Sequence, residues 1–600
     1  MLRKGSQPAV ALADAPPASQ VSAPPIGFAD TRSVAPTETR YLDWLMSPRQ
    51  QLVYAGFVAV WLLTLVWCWT WWFDSTFIVS TTRYVALTAV LIWLSVLQIY
   101  FVSVVAFAKV PSPRCPLPQG RVAIVVTKAP SEPWSVVRTT LEAMLAQDVP
   151  HDTWLADEDP SAETLDWCRA NGVQVSTRKG REDYHRKEWP RRTRCKEGNL
   201  AFFYDHYGYD RYDFVAQLDA DHVPQPGYLR AMLRPFANPA VGYVSAPSIC
   251  NANAKRSWSA RGRLYFESML HGIMQTGYSG AGLASLCIGS HYAVRTKALR
   301  DVGGLGPELA EDHSTTLLMN SGGWRGVHAF DAIAHGDGPI TFSDLVTQEF
   351  QWSRSLVTLL VRYTRHYVGR LPWRLKAQFL FCQLWYPFSS LAMLMMYVMP
   401  LWALATNQAW ANVGYGEFIV HFITVNLVVM VLVQWLRWNG WGRPSRSKTI
   451  GWEGLLFLFA RWPWMLLGTL EGARRGLTGK ETEFRITPKG MTEVGELPVR
   501  ILAPYAVLSL ASSGLPMLLP TAVDAAGFYL FAGLNGLIYA FVLFIVLKRH
   551  RMENGIIAKP NLKSLSGCFN SLLLPVLLMA FAVLCVAARF EITLAAFLSF

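Results

Sequence analysis

The stretch Val215-Ala-Gln-Leu-Asp-Ala-Asp-His-Val-Pro224 carries two carboxylates, Asp219 and Asp221, one residue apart at the end of an apolar run. The run from Tyr212 to Leu218 predicts a short buried strand. Ligands of α/β domains bind in the crevice beyond the carboxyl ends of parallel strands, where these two side chains would lie. Two oxygen ligands there can hold a divalent cation, and the cation can hold a diphosphate. An isolated Asp-x-Asp pair is more often a solvated turn, so the rest of the chain decides between the two interpretations.

The composition is that of a membrane protein. Of the 600 residues, 52% are hydrophobic and 16% are charged, with 24 Trp and 31 Phe. The formal charge of +13 alone would suggest nucleic-acid binding. However, Lys and Arg cluster beside apolar runs, at residues 437–448 and 548–551, which is typical of cytoplasmic membrane loops. We therefore expect no nucleic acid partner. The nine cysteines show no metal or disulfide spacing, as suits a reducing cytosol.

Seven apolar stretches are long enough to cross about 30 Å of hydrocarbon. They are residues 51–73, 84–109, 379–405, 418–436, 501–519, 525–547 and 570–588. Residues 452–470 are also apolar, but Arg461 stands near their middle, and a central Arg costs about 2.5–3.5 kcal/mol on insertion scales. We predict an interfacial or re-entrant helix there, which keeps the following basic residues on the cytoplasmic side.

The polar insert between the second and third spans has the pattern of an α/β domain. Apolar runs at 122–127, 153–156 and 173–176 predict strands, and residues 136–147 predict a helix. This alternation favours a parallel sheet with both faces covered. The predicted divisions are a disordered cytosolic tail (1–45), two transmembrane helices (46–110), the cytosolic domain ending in an interfacial helix (111–373), two transmembrane helices (374–436), a cytosolic region with the interfacial or re-entrant helix (437–500) and about three transmembrane helices (501–600).

Polar motifs follow one another through this insert and into the loop beyond it. In chain order they are Asp157 and Asp159 after the second strand, Lys196-Glu-Gly-Asn-Leu200, the pair Asp219/Asp221, Glu311-Asp312-His313, Gln348-Glu-Phe-Gln-Trp352 and Phe484-Arg-Ile-Thr-Pro-Lys-Gly490. Each motif alone has an ordinary structural explanation, as a turn, a helix cap or a surface loop. Their combination and order are harder to explain in that way.

The series resembles the processive, inverting family 2 glycosyltransferases, above all bacterial cellulose synthases and related curdlan-like β-glucan synthases. It covers about residues 120 to 490. The resemblance implies an α-helical membrane protein with an inserted cytosolic GT-A-like domain, the nucleotide-diphospho-sugar transferase fold. The implied function is polymerisation of a β-linked glucan, cellulose-like or with β-1,3 or mixed linkage, from a UDP-sugar, with UDP-glucose expected. The implied location is the bacterial inner membrane, with a multi-pass chain that exports its product.

The same resemblance assigns the donor site. Asp221 is expected to bind Mg²⁺ or Mn²⁺, and Asp219 to contact the donor. Thr127, Asp157 and Lys196 are expected to hold the nucleotide. Residues 128–130, Lys-Ala-Pro, depart from the family pattern directly after Thr127.

Asp312 is the expected catalytic base. Inversion in one displacement needs a group that accepts the proton of the acceptor hydroxyl. A carboxylate at a helix N-terminus can instead serve as a cap, so from the residue pattern alone both roles stay open, and motif order favours the base.

The last two motifs concern the acceptor and the diphosphate. Gln348 and Trp352 lie one helical turn apart and face the same way; the resemblance assigns Trp352 to the acceptor and Gln348 to the donor. The family has Arg immediately before this Trp, whereas this chain has Gln351, and a neutral amide cannot replace a bidentate guanidinium. We expect Arg354 to supply the missing charge. Thr487, on a loop that resembles the family's gating loop, is expected to reach the diphosphate.

Two other functions compete with glycan polymerisation. One is a non-processive transferase that adds a single sugar from a UDP-sugar to a membrane lipid. The other is a transporter with a soluble insert. The carboxylates argue against a transporter, because they cluster in the insert and not in the spans. The expected partners are the UDP-sugar donor, the growing glycan, the lipid bilayer and a periplasmic export partner.

Overall fold

The structure is a computed structural model that describes residues 41–193, 195–479, 495–556 and 560–598. Thr487 and its predicted gating loop lie outside the described residues, as do residues 1–40. Strand β1 (Leu42–Trp44) pairs antiparallel with strand β2 (Lys109–Pro111), which follows the second membrane helix. The predicted tail, which ran to residue 45, is therefore wrong over this strand, because backbone hydrogen bonds fix it beside the start of the polar insert.

The polar insert is built on ten short strands. They are β3 (Val122–Lys128), β4 (Asp152–Asp157), β5 (Gln174–Ser176), β6 (Phe214–Asp219), β7 (Val223–Pro224), β8 (Val241–Ser245), β9 (Ser248–Ile249), β10 (His291–Arg295), β11 (Arg325–His328) and β12 (Ala334–His335). Seven form a sheet in the order β11-β8-β10-β6-β3-β4-β5, and β7-β12-β9 form a smaller one.

The register of the central strands gathers three predicted donor residues. Strand β3 pairs parallel with β6 and with β4, so that Thr127 lies opposite Asp219 and Lys128 lies opposite Asp157. The carboxyl ends of parallel strands share one sheet edge, which is where α/β domains bind ligands. The predicted site edge is therefore present.

The sheet is not parallel throughout. Strand β10 lies between β6 and β8 and runs antiparallel to both. The expectation of a parallel sheet is wrong at this position. An apolar run indicates that a strand is buried, but it carries no information on the direction of the strand. Here the long segment between β9 and β10, which contains α8 and α9, returns the chain in the opposite direction.

Apolar side chains cover both faces of the sheet, as predicted. All seven residues of β3 are buried. Ile124 and Val126 belong to the apolar cluster on one face, and Val125 belongs to the cluster on the other. Alternate residues of a strand point to opposite faces, so a fully apolar strand needs cover on both sides.

Helices of the insert, among them α3, α5 and α11, contribute to this cover. Two helices precede the insert, α1 (Pro48–Trp72) and α2 (Thr81–Val105). The helices of the insert are α3 (Trp134–Leu145), α4 (Ala162–Ala170), α5 (Lys196–Phe203), α6 (Tyr209–Arg211), α7 (Tyr228–Leu233), α8 (Trp258–Met269), α9 (Gln275–Ala281), α10 (Thr296–Asp301), α11 (Glu311–Ser321), α12 (Phe342–Leu359) and α13 (Arg365–Tyr367).

Long apolar helices flank the insert. After it come α14 (Trp373–Thr406), α15 (Tyr415–Trp438), α16 (Trp452–Thr478), α17 (Val499–Leu518), α18 (Phe528–Glu553), α19 (Leu565–Phe569), α20 (Leu573–Ala588) and α21 (Phe590–Leu598). Among the described residues, six helices are long and apolar enough to cross a membrane: α1, α2, α14, α15, α17 and α18. The bent pair α20–α21 would make a seventh, in line with the seven predicted spans. The long helix α16 is not one of them.

Helix α16 packs closely along α12, the helix that carries Gln348 and Trp352. Three glycines of α16, spaced four residues apart, form the contact. A Cβ atom on Gly472 would lie 2.5 Å from the Arg354 carbonyl oxygen, and one on Gly468 would lie still closer to the Ser353 hydroxyl. A Cβ atom on Gly476 would lie 2.7 Å from Cβ of Val361, just beyond the end of α12. Small residues at this spacing let two helix backbones approach, so α16 fixes the position of α12.

We expect the substitution Gly472→Ala to destabilise the protein by about 1–3 kcal/mol, because the added methyl group overpacks the α12 backbone. Gly454→Ala is the matched control: it lies on the same helix, and its Cβ would meet nothing within 4 Å. Helix propensity predicts a gain of roughly 0.5–1 kcal/mol there. Thermal unfolding in detergent measures both. Equal midpoints for the two variants would contradict this packing.

Candidate active site

The paired carboxylates end strand β6 and begin the turn that follows it. Ligand atoms of Asp219, Asp221 and His222 lie within 4.8 Å of one another. The Asp221 carboxylate accepts the backbone N–H of Asp337 at 2.9 Å and lies 3.3 Å from His222 Nδ1. Hard oxygen ligands at such an edge suit Mg²⁺ or Mn²⁺. The arrangement fits a divalent cation site.

His222 is the buried neighbour of this pair. Burial alone would lower the pKa of the imidazole, but the Asp221 carboxylate opposes this and holds the pKa at about 10. The Sγ atom of Cys250 lies 3.9 Å from the other ring nitrogen, Nε2. A metal cation at Asp221 would therefore compete with the protonated His222 ring for the Asp221 carboxylate.

Lys196 begins helix α5 and reaches across to the carboxylates. Its Nζ atom lies 2.7 Å from Asp219 Oδ1 and 2.5 Å from the carbonyl oxygen of Gly289, in the loop before β10. The backbone N–H of Asp219 donates to the Ser290 carbonyl oxygen at 2.8 Å. The antiparallel neighbour of β6 thus brings a loop into the site.

Asp157 and Thr127 lie beside this cluster. Asp157 is fully buried, and its carboxylate is 3.1 Å from Lys128 Nζ. Burial raises its pKa, while the Asp159 N–H and the Lys128 ammonium act in the opposite direction. The Thr127 hydroxyl faces the Leu218 carbonyl oxygen at 3.5 Å. Lys128, which departs from the family pattern, therefore pairs with Asp157, a residue that is predicted to bind the nucleotide.

Asp312 and Glu311 occupy the first turn of α11, as predicted. Asp312 is half-buried, and its carboxylate accepts the His313 N–H at 2.7 Å. A Cβ atom on Gly289 would lie 3.3 Å from the other oxygen of Asp312. Because Gly289 also contacts Lys196, Asp312 lies close to the Asp219 cluster. Burial raises the pKa of Asp312, and the N–H groups of His313 and Gly289 oppose this.

Glu311 and His313 face the interior instead. Tyr292 donates its hydroxyl to Glu311 at 2.8 Å, and burial raises the pKa of Glu311 to about 8. His313 is also buried, lies 3.2 Å from the Gln383 side chain, and has its pKa lowered to about 4 by burial. Of the three residues in this motif, Asp312 is the one placed to meet a substrate.

Gln348 and Trp352 share one face of α12, and one arginine touches both. The Arg263 guanidinium donates to Gln348 Oε1 at 3.1 Å and lies 4.2 Å from the centre of the Trp352 ring. It also pairs with Glu267 at 3.0 Å. No sequence motif had marked Arg263, because Gln348, its hydrogen-bond partner on α12, lies 85 residues away.

Arg354 is buried in a separate group of charges. Its guanidinium lies against the Phe350 ring and close to Arg192, Arg475, Glu308 and Glu471. Burial and the two other arginines lower its pKa. Three arginines against two glutamates make an environment suited to an anion. Gln351 is buried as well.

The sequence missed several residues of this site: Lys128, Gly289, Asp337 and Arg263. Lys128 was visible as a departure from the family pattern, but its partner was not. Gly289 and Asp337 act through backbone groups, which leave no side-chain signal.

Comparisons with known proteins agree with the class that the geometry indicates. Residues 214–436 match the family model described as glycosyl transferase family group 2. This part of the chain is therefore similar to family 2 glycosyltransferases, in agreement with the prediction from the motif series. The match includes β6, the Asp219 cluster, α11 and α12.

Among individual proteins, cellulose synthase catalytic subunits of plants and bacteria are similar to this chain. The chain is 25% identical over 225 residues to cellulose synthase A catalytic subunit 3 of Arabidopsis thaliana, covering 35% of this chain and 20% of that protein. It is 26% identical over 238 residues to the cellulose synthase catalytic subunit of Xanthomonas axonopodis pv. citri, covering 38% and 30%. The match spans less than a third of either relative.

Among solved structures, the mannosyltransferase PcManGT from Pyrobaculum calidifontis, in complex with GDP-Man and Mn²⁺, aligns with a TM-score of 0.37. Its sequence identity is 14%, and the alignment covers 72% of this chain and 99% of that chain.

Glu311 provides a pH test of this geometry. Its pKa is about 8 when folded against an ordinary 4.5, so the folded protein retains a proton that the unfolded chain loses. That contribution to stability is present at low pH and is lost as the pH rises through 8. We expect the unfolding midpoint of Glu311→Gln, relative to wild type, to rise between pH 5 and pH 8. A pH-independent difference would contradict the burial of Glu311.

Proposed function

We propose that the protein is a processive, inverting glycosyltransferase that polymerises a β-linked glucan from a UDP-sugar, with UDP-glucose as the expected donor, and exports the product across the bacterial inner membrane. One observation carries the proposal: Lys196 and Gly289 join the Asp219 carboxylate to the first turn of α11, where Asp312 lies. A donor site and a base candidate thus share one sheet edge. The cellulose synthase relatives and the apolar helices support the polymerase over other transferases.

Asp221, with Asp219 beside it, would hold Mg²⁺ or Mn²⁺, since the carboxylates fit a hard cation. Such a cation, when bound, neutralises the leaving diphosphate and acts as a Lewis acid. Lys196 would orient Asp219 toward the donor through its 2.7 Å ion pair. Thr127 and Asp157 would position the nucleotide from the neighbouring strands.

Asp312 would act as the catalytic base. Its carboxylate accepts the proton of the acceptor hydroxyl while the acceptor oxygen bonds to the anomeric carbon and the bond to UDP breaks. The raised pKa strengthens Asp312 as a base, and its partial exposure lets an acceptor approach.

Trp352 would hold the acceptor, since a sugar can lie against its ring. Gln348, one turn before it, and Arg354, one turn beyond Gln351, would contact the donor. The Arg354 environment, with three arginines and two glutamates, supports a role in binding the diphosphate. Thr487 belongs to this proposal as the donor contact of the gating loop.

Product analysis tests the proposal. Membrane vesicles carrying the protein, supplied with radiolabelled UDP-glucose and Mg²⁺, should form a high-mass polymer that β-glucan-specific glycosidases digest. Asp221→Asn should lower the rate at least a hundredfold while the protein still inserts into the membrane, because the cation loses its ligand. A labelled lipid would indicate the single-transfer alternative. Undiminished polymer from Asp221→Asn would contradict the metal assignment.

Arg354→Ala should weaken UDP binding at least tenfold, because a buried guanidinium contact to a diphosphate is lost. Arg300→Ala is the comparison variant, since Arg300 is exposed on α10, where it pairs with Asp210. Calorimetric titration of the purified protein with UDP measures both. Wild-type affinity in Arg354→Ala would remove this residue from the donor site.

A further inference from the structure

Arg263 of α8 lies at the junction between the proposed donor and acceptor sites. On one side, Arg263 interacts with Cys250, whose Sγ atom lies 3.9 Å from His222 Nε2 beside Asp221. On the other side, it lies 4.2 Å from the centre of the Trp352 ring. Arg263 therefore lies between the proposed cation cluster and the proposed acceptor tryptophan.

Its orientation is fixed by two hydrogen bonds. Arg263 Nε donates to Glu267 at 3.0 Å, one turn further along α8, and Nη1 donates to Gln348 at 3.1 Å. The Arg263 and Glu267 side chains are only 13% and 14% exposed. The planar guanidinium carries five N–H donors, and these two bonds use two of them. Hydroxyl groups of a sugar at Trp352 would meet the remaining donors.

The charges around this platform are balanced. A second pair, Arg461 and Glu349, lies next to it, with both side chains buried at an N–O distance of 2.5 Å. Arg461 is surrounded by Phe266, Trp385 and Phe457. Glu267 interacts with both Arg263 and Arg461, and its carboxylate also lies 3.2 Å from His271 Nε2. An anionic acceptor would bring an unpaired charge into this buried group, which is costly, whereas a neutral sugar would not.

We propose that Arg263 is an acceptor-binding residue that determines specificity, and that the acceptor it selects is a neutral, polyhydroxylated sugar rather than a phosphate-bearing one. The inference rests on the proposed transferase function and adds to it a residue that selects the acceptor. Glu267 takes part by neutralising Arg263. The two residues lie outside every motif that identified the domain.

Initial rates with purified protein, UDP-glucose and two added acceptors test this. Cellobiose is the neutral acceptor, and glucose 6-phosphate is the anionic one. Wild type should prefer cellobiose. Arg263→Ala should raise the KM for cellobiose at least tenfold and leave the Kd for UDP within twofold. Arg263→Lys, which keeps the charge but not the planar fork, should give a KM for cellobiose between those of wild type and Arg263→Ala. It also provides the test if Arg263→Ala does not fold.

Glu267→Gln is the matched variant. It leaves Arg263 in place without its counter-charge, so we expect the preference for cellobiose over glucose 6-phosphate to fall at least fivefold. An unchanged KM for cellobiose in both Arg263 variants would overturn the proposal, as would an equal loss of UDP affinity. A wild-type preference for glucose 6-phosphate would also overturn it. Failure of the wild type to transfer glucose to any acceptor, with UDP still bound, would instead refute the proposed function.

Discussion

The hydrogen bond from the Asp219 N–H to the Ser290 carbonyl oxygen ties the end of β6 to the loop that precedes β10. Because β10 runs antiparallel to β6, that loop arrives at the same edge as the carboxylates. Gly289, its last residue before Ser290, then contacts Lys196 on one side and approaches Asp312 on the other. A parallel strand at this position would deliver its loop to the opposite edge of the sheet, and the carboxylates would lie apart.

A second constraint connects this edge to helices α12 and α16. The Asp337 N–H binds Asp221 a few residues before α12 begins, and the glycines of α16 hold α12 in close contact. The buried Arg461–Glu349 pair joins the same two helices. Breaking a buried ion pair costs several kcal/mol, because the remaining charge stays unpaired. Trp352 on α12 therefore keeps a defined position relative to Asp221.

Charge is distributed unevenly along α12. Around Arg354, arginines outnumber glutamates, which suits a diphosphate. Around Trp352, arginines and glutamates balance, which suits a neutral sugar. The two environments lie on one helix, within one turn of each other. The buried Gln351 stands between them and adds no charge to the environment of Trp352.

Much of this protein follows from the sequence alone. Apolar length marked six candidate spans and the bent pair that would make a seventh. Apolar runs marked β3, β4 and β6, and motif order indicated the region that is similar to family 2 glycosyltransferases. Tertiary structure alone decided the direction of β10, the pairing of Lys128 with Asp157, and the contact of Arg263 with Trp352. The physical reason is range. Periodicity and hydropathy report the burial of each segment, whereas strand direction and contacts between residues some 30 to 90 positions apart depend on how the segments pack.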